Sequence, residues 1–177
     1  MKQVWATWRL QYMTKTKKKG GCVFCDALHK EDGPDNLIIA RGRFSFVILN
    51  LYPYNSGHLM ILPLEHRANL EDLSTEIRLE IMEQTTLAVA VLKKVVHPQG
   101  FNVGINIGEA AGAGIADHIH VHVIPRWNGD TNFLSTVSET RMIPESLNDT
   151  YLRVRQAWYT TATSTVTQIQ LPVTDRK

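Results

Sequence analysis

The chain has 177 residues, of which 44% are hydrophobic and 20% charged, and its formal net charge is +2. This length suits one domain of ordinary size, and the composition suits a folded globular core rather than a disordered or fibrous chain. The small net charge gives no electrostatic reason to expect nucleic acid as the main partner, and no apolar run is long enough to span a bilayer.

Residues 1–21 read as an N-terminal extension. Trp5, Trp8 and Tyr12 are expected to dock on the domain or on a second subunit. Lys15, Lys17, Lys18 and Lys19 form the one dense basic patch, read either as a solvated loop or as an attractor for an anionic substrate. The first 13 residues lack the apolar core of a secretory leader, so a cytoplasmic setting is expected. The two cysteines, Cys22 and Cys25, form a Cys-x-x-Cys knuckle. In a reducing compartment this spacing suits a metal or redox motif better than a disulfide framework. Phe24, between them, is expected to pack inward.

Residues 31–35 (EDGPD) are a turn by composition. Asn36 to Ala40 and Phe44 to Leu49 then read as strands joined by a hairpin turn at residues 41–43, and His58 to Pro63 reads as a third strand after the loop 50–57. From Leu70 the period changes. Leu73, Ile77, Ile81, Leu87 or Ala88, Val91 and Val95 recur at three- and four-residue intervals, which predicts one long amphipathic helix. Ser74 is its expected N-cap, Glu76 and Lys93–Lys94 lie on the favourable ends of its dipole, and it stops before His97 and Pro98. Phe101 to Ile107 reads as another strand, and residues 108–114 (GEAAGAG) as a glycine-rich loop. A second helix is expected from Pro144 to Thr160, with Leu147, Tyr151, Val154 and Trp158 on one face. Beyond it, a strand and a loose tail both remain open. Antiparallel strands with a long helix on one face make an α+β domain.

The stretch Asp117 to Phe133 carries the chemistry. His118, His120 and His122 alternate with Ile119, Val121 and Val123. A period of two is that of a strand, so the three imidazoles should share one face, about 6–7 Å apart. Three histidines in register point to a site rather than to core packing. Two readings follow from the residues: a His-x-His pair gripping a catalytic zinc, or an imidazole nucleophile attacking phosphorus. Gly108, Gly112 and Gly114 could turn backbone N–H groups toward an anion, with Asn106 as an amide donor, and these favour the second. Arg126 suits either a phosphate or a structural carboxylate.

His-Ile-His-Val-His-Val-Ile resembles the signature of the histidine triad (HIT) superfamily, and the resemblance runs from Cys22 to about Phe133. The segment from Asn50 through Ser56-Gly57-His58 to His66 and Leu70 is similar to the second block of that family. The continuation Pro125-Arg126-Trp127-Asn128-Gly129-Asp130-Thr131-Asn132-Phe133 resembles its bacterial diadenosine tetraphosphate phosphorylase-like branch. The resemblance implies a HIT-like fold: one antiparallel sheet, one long helix and a C-terminal helix in a single domain. The expected layout is an extension at 1–21, the HIT domain at 22–135, and a C-terminal helix and tail at 136–177 packed on it. It also implies roles. His120 falls on the nucleophile, His122 on the phosphate-side histidine and His58 on the one that completes the cluster. Asn50 falls on the ribose-holding position and Asn106 on the phosphate-contacting amide, with Gly112 and Gly114 beside the phosphates. Gly114 and Ile115 depart from the pattern, standing where relatives often carry a hydroxyl or amide that assists the leaving group.

In zinc-bearing relatives the ligands are two N-terminal cysteines, a histidine after the second block and the first triad histidine. Here those are Cys22, Cys25, His66 and His118, a structural zinc site, the alternative being two buried free thiols and a surface His66. The implied function is cleavage of a dinucleoside polyphosphate, diadenosine tetraphosphate foremost, through a nucleotidyl-histidine, by phosphorolysis or hydrolysis. The alternatives are a nucleoside phosphoramidase and a nucleotide-binding regulatory protein with little turnover. Family precedent also implies a homodimer. His29 and His97 are expected at the surface, and Trp127 and Phe133 in plain packing, at the nucleotide pocket or at a dimer contact.

Overall fold

The apolar runs between residues 38 and 63 fold into three consecutive strands because each is short, rich in apolar residues and bounded by turn residues. The computed structural model describes residues 21–130 and 145–169. Trp5, Trp8, Tyr12, the lysine patch, Phe133 and the tail from residue 170 lie outside the described residues. The elements are α1 (Val23–Leu28), β1 (Ile38–Arg41), β2 (Ser45–Leu49), β3 (Leu59–Pro63), α2 (Thr75–Val96), β4 (Gly100–Ile105), a 3-10 turn (Glu109–Ala111), β5 (Val121–Arg126) and α3 (Leu147–Ile169). The strands form one antiparallel sheet in the order β1-β2-β3-β5-β4. The architecture is α+β, as expected.

Both faces of the middle strands are covered. Every residue of β2 and β3 is buried. Helix α2 lies across β2, β3 and β5, presenting Ile81, Thr85, Ala88, Val91, Leu92 and Val95. These recur at helical spacing, and each fully buried aliphatic side chain among them stabilises by about 1.5–3 kcal/mol. Ser74 caps the helix as expected, its hydroxyl accepting from Ile77 N–H at 3.4 Å. Ile77 is only partly buried, and the helix ends at His97, exposed and in a left-handed conformation with φ 46°.

Helix α3 begins three residues later than expected and runs beyond Thr160. Its face of Tyr151, Val154 and Trp158 is buried in the same core as the sheet. It covers the β1 edge: the Tyr151 hydroxyl donates to the Ile38 carbonyl at 3.2 Å, and Arg155 donates to the carbonyls of Ile38 and Ile39 at 2.9 and 3.2 Å. A sheet edge otherwise left open is thereby closed. The β4 edge has no such cover among the described elements, and Val103 on it is 49% exposed.

Three sequence expectations are corrected. The Cys-x-x-Cys stretch is a helical turn rather than a free knuckle, with Cys22 as the N-cap of α1 and Cys25 inside it; Phe24 does pack inward. The histidine strand is shorter than its alternation suggests. Its ladder begins at Val121, so only His122 lies within β5. Ile119 N–H donates instead to the Arg67 carbonyl at 2.7 Å, and the His118 carbonyl is taken by the His120 ring. Those bonds hold the stretch extended but outside the sheet. The glycine-rich loop folds as a tight turn, with Gly112 N–H on the Glu109 carbonyl at 2.9 Å and Ala113 N–H on the Gly108 carbonyl at 3.4 Å. The Gly112 N–H is thereby taken up inside the loop, which removes it from the expected nest.

Candidate functional site

Sheet register places His122. It stands opposite Met60 of β3, which stands opposite Ile48 of β2. Directly paired residues share a face, so Ile48, Met60 and His122 line one side of the sheet, the side away from α2. On the far side of His122 the row ends at Gly104, where a Cβ would meet nothing within 4 Å. A fully buried imidazole, His58, enters from the end of the loop 50–57. Gly57 makes that approach possible: it has φ 79°, and a Cβ there would lie 3.0 Å from Leu92 of α2. The conformation favours glycine, and a Cβ would also press on the Leu92 side chain.

The hydrogen bonds fix the tautomers. His58 Nδ1 accepts from Tyr54 N–H at 3.2 Å and lies 3.3 Å from the Asn50 amide nitrogen, which can only donate. Its proton therefore sits on Nε2, which donates to His122 Nδ1 at 2.9 Å. His122 in turn carries its proton on Nε2. His120 Nδ1 lies 2.8 Å from the His118 carbonyl, an acceptor only, so His120 holds its proton on Nδ1 and leaves Nε2 with a free lone pair. Burial pushes the His120 pKa down against the raising effect of that hydrogen bond. Burial, followed by repulsion from His122 and His120, pushes His58 down to about 3. Both rings are neutral near neutral pH, the state a nucleophilic imidazole requires.

A cavity of about 550 Å³ opens over this row, within the size range of small-molecule sites. His120, His122, Asn50 and Asn106 line it, as do Gly112 and Gly114. Asn50 also braces the loop, its carbonyl oxygen accepting from Tyr52 N–H at 2.9 Å. The apolar wall comes from Val23 and Phe24 of α1 with Leu37, Ile48 and Leu49. Leu37 holds φ 61°, a strained conformation for a non-glycine residue, with its N–H on the Gly33 carbonyl and its carbonyl bonded by Leu49 N–H, both at 2.9 Å.

Cys22, Cys25, His66 and His118 converge, their ligand atoms all within 4.8 Å of one another. Sγ of Cys22 lies 3.4 Å from His118 Nδ1, and Sγ of Cys25 lies 3.4 Å from His66 Nδ1 and 3.7 Å from His118 Nδ1. Tetrahedral zinc with sulfur at about 2.3 Å and nitrogen at about 2.0–2.1 Å has sulfur–nitrogen edges of about 3.5 Å. The donor set and spacing fit that ion. His118 Nε2 lies 3.0 Å from the Pro63 carbonyl, which holds its proton there and turns the Nδ1 lone pair toward the cluster. Burial, with the Cys22 thiol beside it, pushes the Cys25 thiol up to about 11. Without a metal that sulfur keeps its proton.

Of the expected site residues, the structure brings His120, His122, Asn50, Asn106, Gly112 and Gly114 to one cavity, sets His58 buried behind it on His122, and gathers the four ligand candidates in one cluster. Arg126 takes the structural alternative. It pairs with Asp130 at 2.5 and 2.7 Å and with the Asn102 side chain at 2.6 Å, and does not line the cavity. Trp127 also stands outside the cavity lining, and His29 is exposed. Sequence reasoning missed Tyr54, whose ring is tilted 4.9 Å from His58 and 6.2 Å from His122. It missed Leu37 as well. Nothing in the local pattern marks either residue, because only the folded loop brings them to the histidines.

The HIT domain family model matches residues 31–129. The chain is 37% identical to the AP-4-A phosphorylase of Mycobacterium tuberculosis over 166 residues, 89% of this chain and 85% of that one. It is 33% identical to an adenosine 5'-monophosphoramidase of Schizosaccharomyces pombe over 60% of this chain and 75% of that one. Among solved structures, a zinc-bound histidine triad family protein from Mycobacterium smegmatis superposes with a TM-score of 0.66 at 26% identity, covering 81% of this chain and 97% of the other. With the family model spanning more than half of its length, this chain belongs to the HIT family.

Proposed function

We propose that this protein is an enzyme that cleaves a dinucleoside polyphosphate, diadenosine tetraphosphate first among them, through a nucleotidyl-His120 intermediate. The observation that carries the reading is the His120 tautomer: the His118 carbonyl holds the Nδ1 proton and leaves the Nε2 lone pair free in a ring that lines the cavity. That lone pair attacks the α-phosphorus. A P–N bond forms, the P–O bond to the departing nucleotide breaks, and the electron pair leaves on that oxygen. His122 donates its Nε2 hydrogen to the phosphoryl oxygens, where charge builds. Inorganic phosphate or water then attacks the same phosphorus, breaks the P–N bond and restores His120. Asn50, Asn106, Gly112 and Gly114 serve nucleotide binding in this scheme.

Leaving-group chemistry favours this reading over a phosphoramidase. A departing nucleotide ends in a phosphate monoester, whose second pKa is near 6, so it leaves as a stable anion near neutral pH. A departing amine needs a proton. Gly114 and Ile115, where a side-chain donor could stand, offer none. The M. tuberculosis relative named AP-4-A phosphorylase points the same way. Cys22, Cys25, His66 and His118 would hold a structural zinc in our reading, which supplies folding free energy rather than chemistry. Paired free thiols suit a reducing compartment such as the cytoplasm. The uncovered β4 edge, with Val103 exposed and Asn106 one residue beyond it, is the surface on which a homodimer would form.

The deciding experiment incubates the protein with diadenosine tetraphosphate, with and without inorganic phosphate. ADP plus ATP appearing only with phosphate identifies phosphorolysis, and AMP plus ATP identifies hydrolysis. No product, together with turnover of an adenosine phosphoramidate, would replace this reading with the phosphoramidase. Inactivity on both would leave a nucleotide-binding protein.

A further inference from the structure

Helix α1 belongs to two sites at once. Its N-cap Cys22 and its third residue Cys25 supply half of the four-residue cluster. From the same short stretch, Val23, Phe24, Asp26 and Ala27 line the cavity that His120 and His122 also line. A helix of six residues has too few internal hydrogen bonds to persist alone, so its anchors decide whether this wall is in place.

The anchors differ at the two ends. At the C-terminal end Asn36 donates its amide to the Ala27 carbonyl at 3.0 Å, and Arg41 donates to the Leu28 carbonyl at 3.1 Å while paired with Asp32 at 2.7 Å. These are protein–protein bonds that need no ion. At the N-terminal end the anchors are the two thiols facing His66 and His118, and the Phe24 ring. That ring stands edge-on to His118 with centroids 5.6 Å apart, and tilted against His120 at 5.3 Å. His118 is thus a member of the cluster, a ring contact of Phe24 and, through its carbonyl, the partner of His120 Nδ1.

We infer that metal occupancy of the cluster and nucleotide binding in the cavity are coupled, with Phe24 the positioning residue between them. The coupling presupposes the nucleotide reading of the cavity. A filled cluster holds the N-terminal end of α1 against the sheet, so a nucleotide finds its apolar wall already ordered. With the cluster empty, binding has to order the wall first and is weakened accordingly. Linkage is reciprocal, so the nucleotide tightens the metal by the factor by which the metal tightens the nucleotide.

The test uses AMP and zinc with the full chain. AMP is titrated by calorimetry into zinc-loaded protein and into protein stripped with a chelator. Zinc affinity is measured by chelator competition with and without saturating AMP, and amide exchange is followed in both forms. Stripping is expected to weaken AMP binding about ten-fold or more, and saturating AMP to tighten zinc by the same factor. Amides of residues 23–28 should exchange faster on stripping while those of β2 and β3 stay protected. Zinc-loaded Phe24→Leu should keep its zinc affinity without AMP but show a smaller coupling factor. Equal AMP affinity in loaded and stripped protein overturns the coupling and leaves the nucleotide reading standing. Loss of protection across β2 and β3 also overturns it, since the cluster would then hold the whole fold rather than one wall. Failure of AMP to bind even the loaded protein overturns the nucleotide reading, and the coupling falls with it.

Discussion

His58 donates its Nε2–H to Nδ1 of His122 across 2.9 Å, joining a loop residue to one 64 positions later on strand β5. The network fits neutral rings: a proton on His122 Nδ1 would set two donors face to face across this bond, and one on His58 Nδ1 would do the same against its backbone and amide partners. The structure secures this on the His58 side, where Tyr54 N–H and the Asn50 amide already occupy Nδ1. A proton arriving there would displace both.

This gives stability a pH dependence with a definite sign. The His58 pKa falls from 6.5 to about 3 on folding, so the unfolded chain binds this proton more tightly than the folded one. The contribution is fully present above about 6.5 and is lost as pH falls toward about 3, with a slope of at most about 1.4 kcal/mol per pH unit. Urea unfolding across that window should show stability rising with pH, and His58→Gln should flatten the rise. An unchanged slope in the variant would assign the effect to other groups.

Replacing the proposed nucleophile, His120, separates binding from chemistry. His120→Ala and His120→Asn should lower turnover of diadenosine tetraphosphate by about a thousand-fold or more while leaving nucleotide affinity within a few-fold, as expected of a group that acts by covalent attack. Steady-state rates and calorimetric AMP binding on the same preparations provide the check. Full activity in either variant refutes the His120 intermediate.

Purified protein should carry roughly one zinc per chain, because the four ligand atoms satisfy a closed tetrahedral site. Cys22→Ser should lose that stoichiometric zinc, and chelation should lower the unfolding midpoint of the wild type but not of the variant. Metal analysis with thermal melts reads both. A metal-free wild type purified without chelators would remove the structural-zinc reading.

Leu37 sets two effects against each other. Its left-handed backbone costs about 1–2 kcal/mol, which glycine would recover. Truncating a leucine that is 7% exposed costs about 2–5 kcal/mol. Packing outweighs strain, so Leu37→Gly should be destabilised by roughly 1–3 kcal/mol in urea unfolding. It should also bind AMP more weakly, having lost part of the cavity wall. A stabilised variant would show that strain dominates.

Much of the fold was legible locally. The long helix, its Ser74 cap and the burial of Ala88 and Val91 follow from helical spacing, and the buried face of α3 from Tyr151, Val154 and Trp158. Local pattern and structure part where long-range contacts compete. Alternation at residues 118–123 suggested one continuous strand, but Ile119 bonds to Arg67 and shortens the ladder. The glycines at 108–114 suggested an anion nest, but the Gly112 N–H is bonded to the Glu109 carbonyl. For Arg126 the local sequence left phosphate and carboxylate open, and Asp130 decided between them.

The sequence by itself determined the family and singled out the histidine run, because residue types at short fixed spacings carry that information, whereas the four candidate ligands came only as what the family resemblance implies. Tertiary structure alone decided which nitrogen of each imidazole holds its proton, since the partners fixing it, Tyr54, His122 and the His118 and Pro63 carbonyls, are chosen by folding. It also decided that the helix bearing the cysteines is a wall of the cavity. A tautomer and a shared wall are properties of neighbours in space, and spacing along the chain does not encode them.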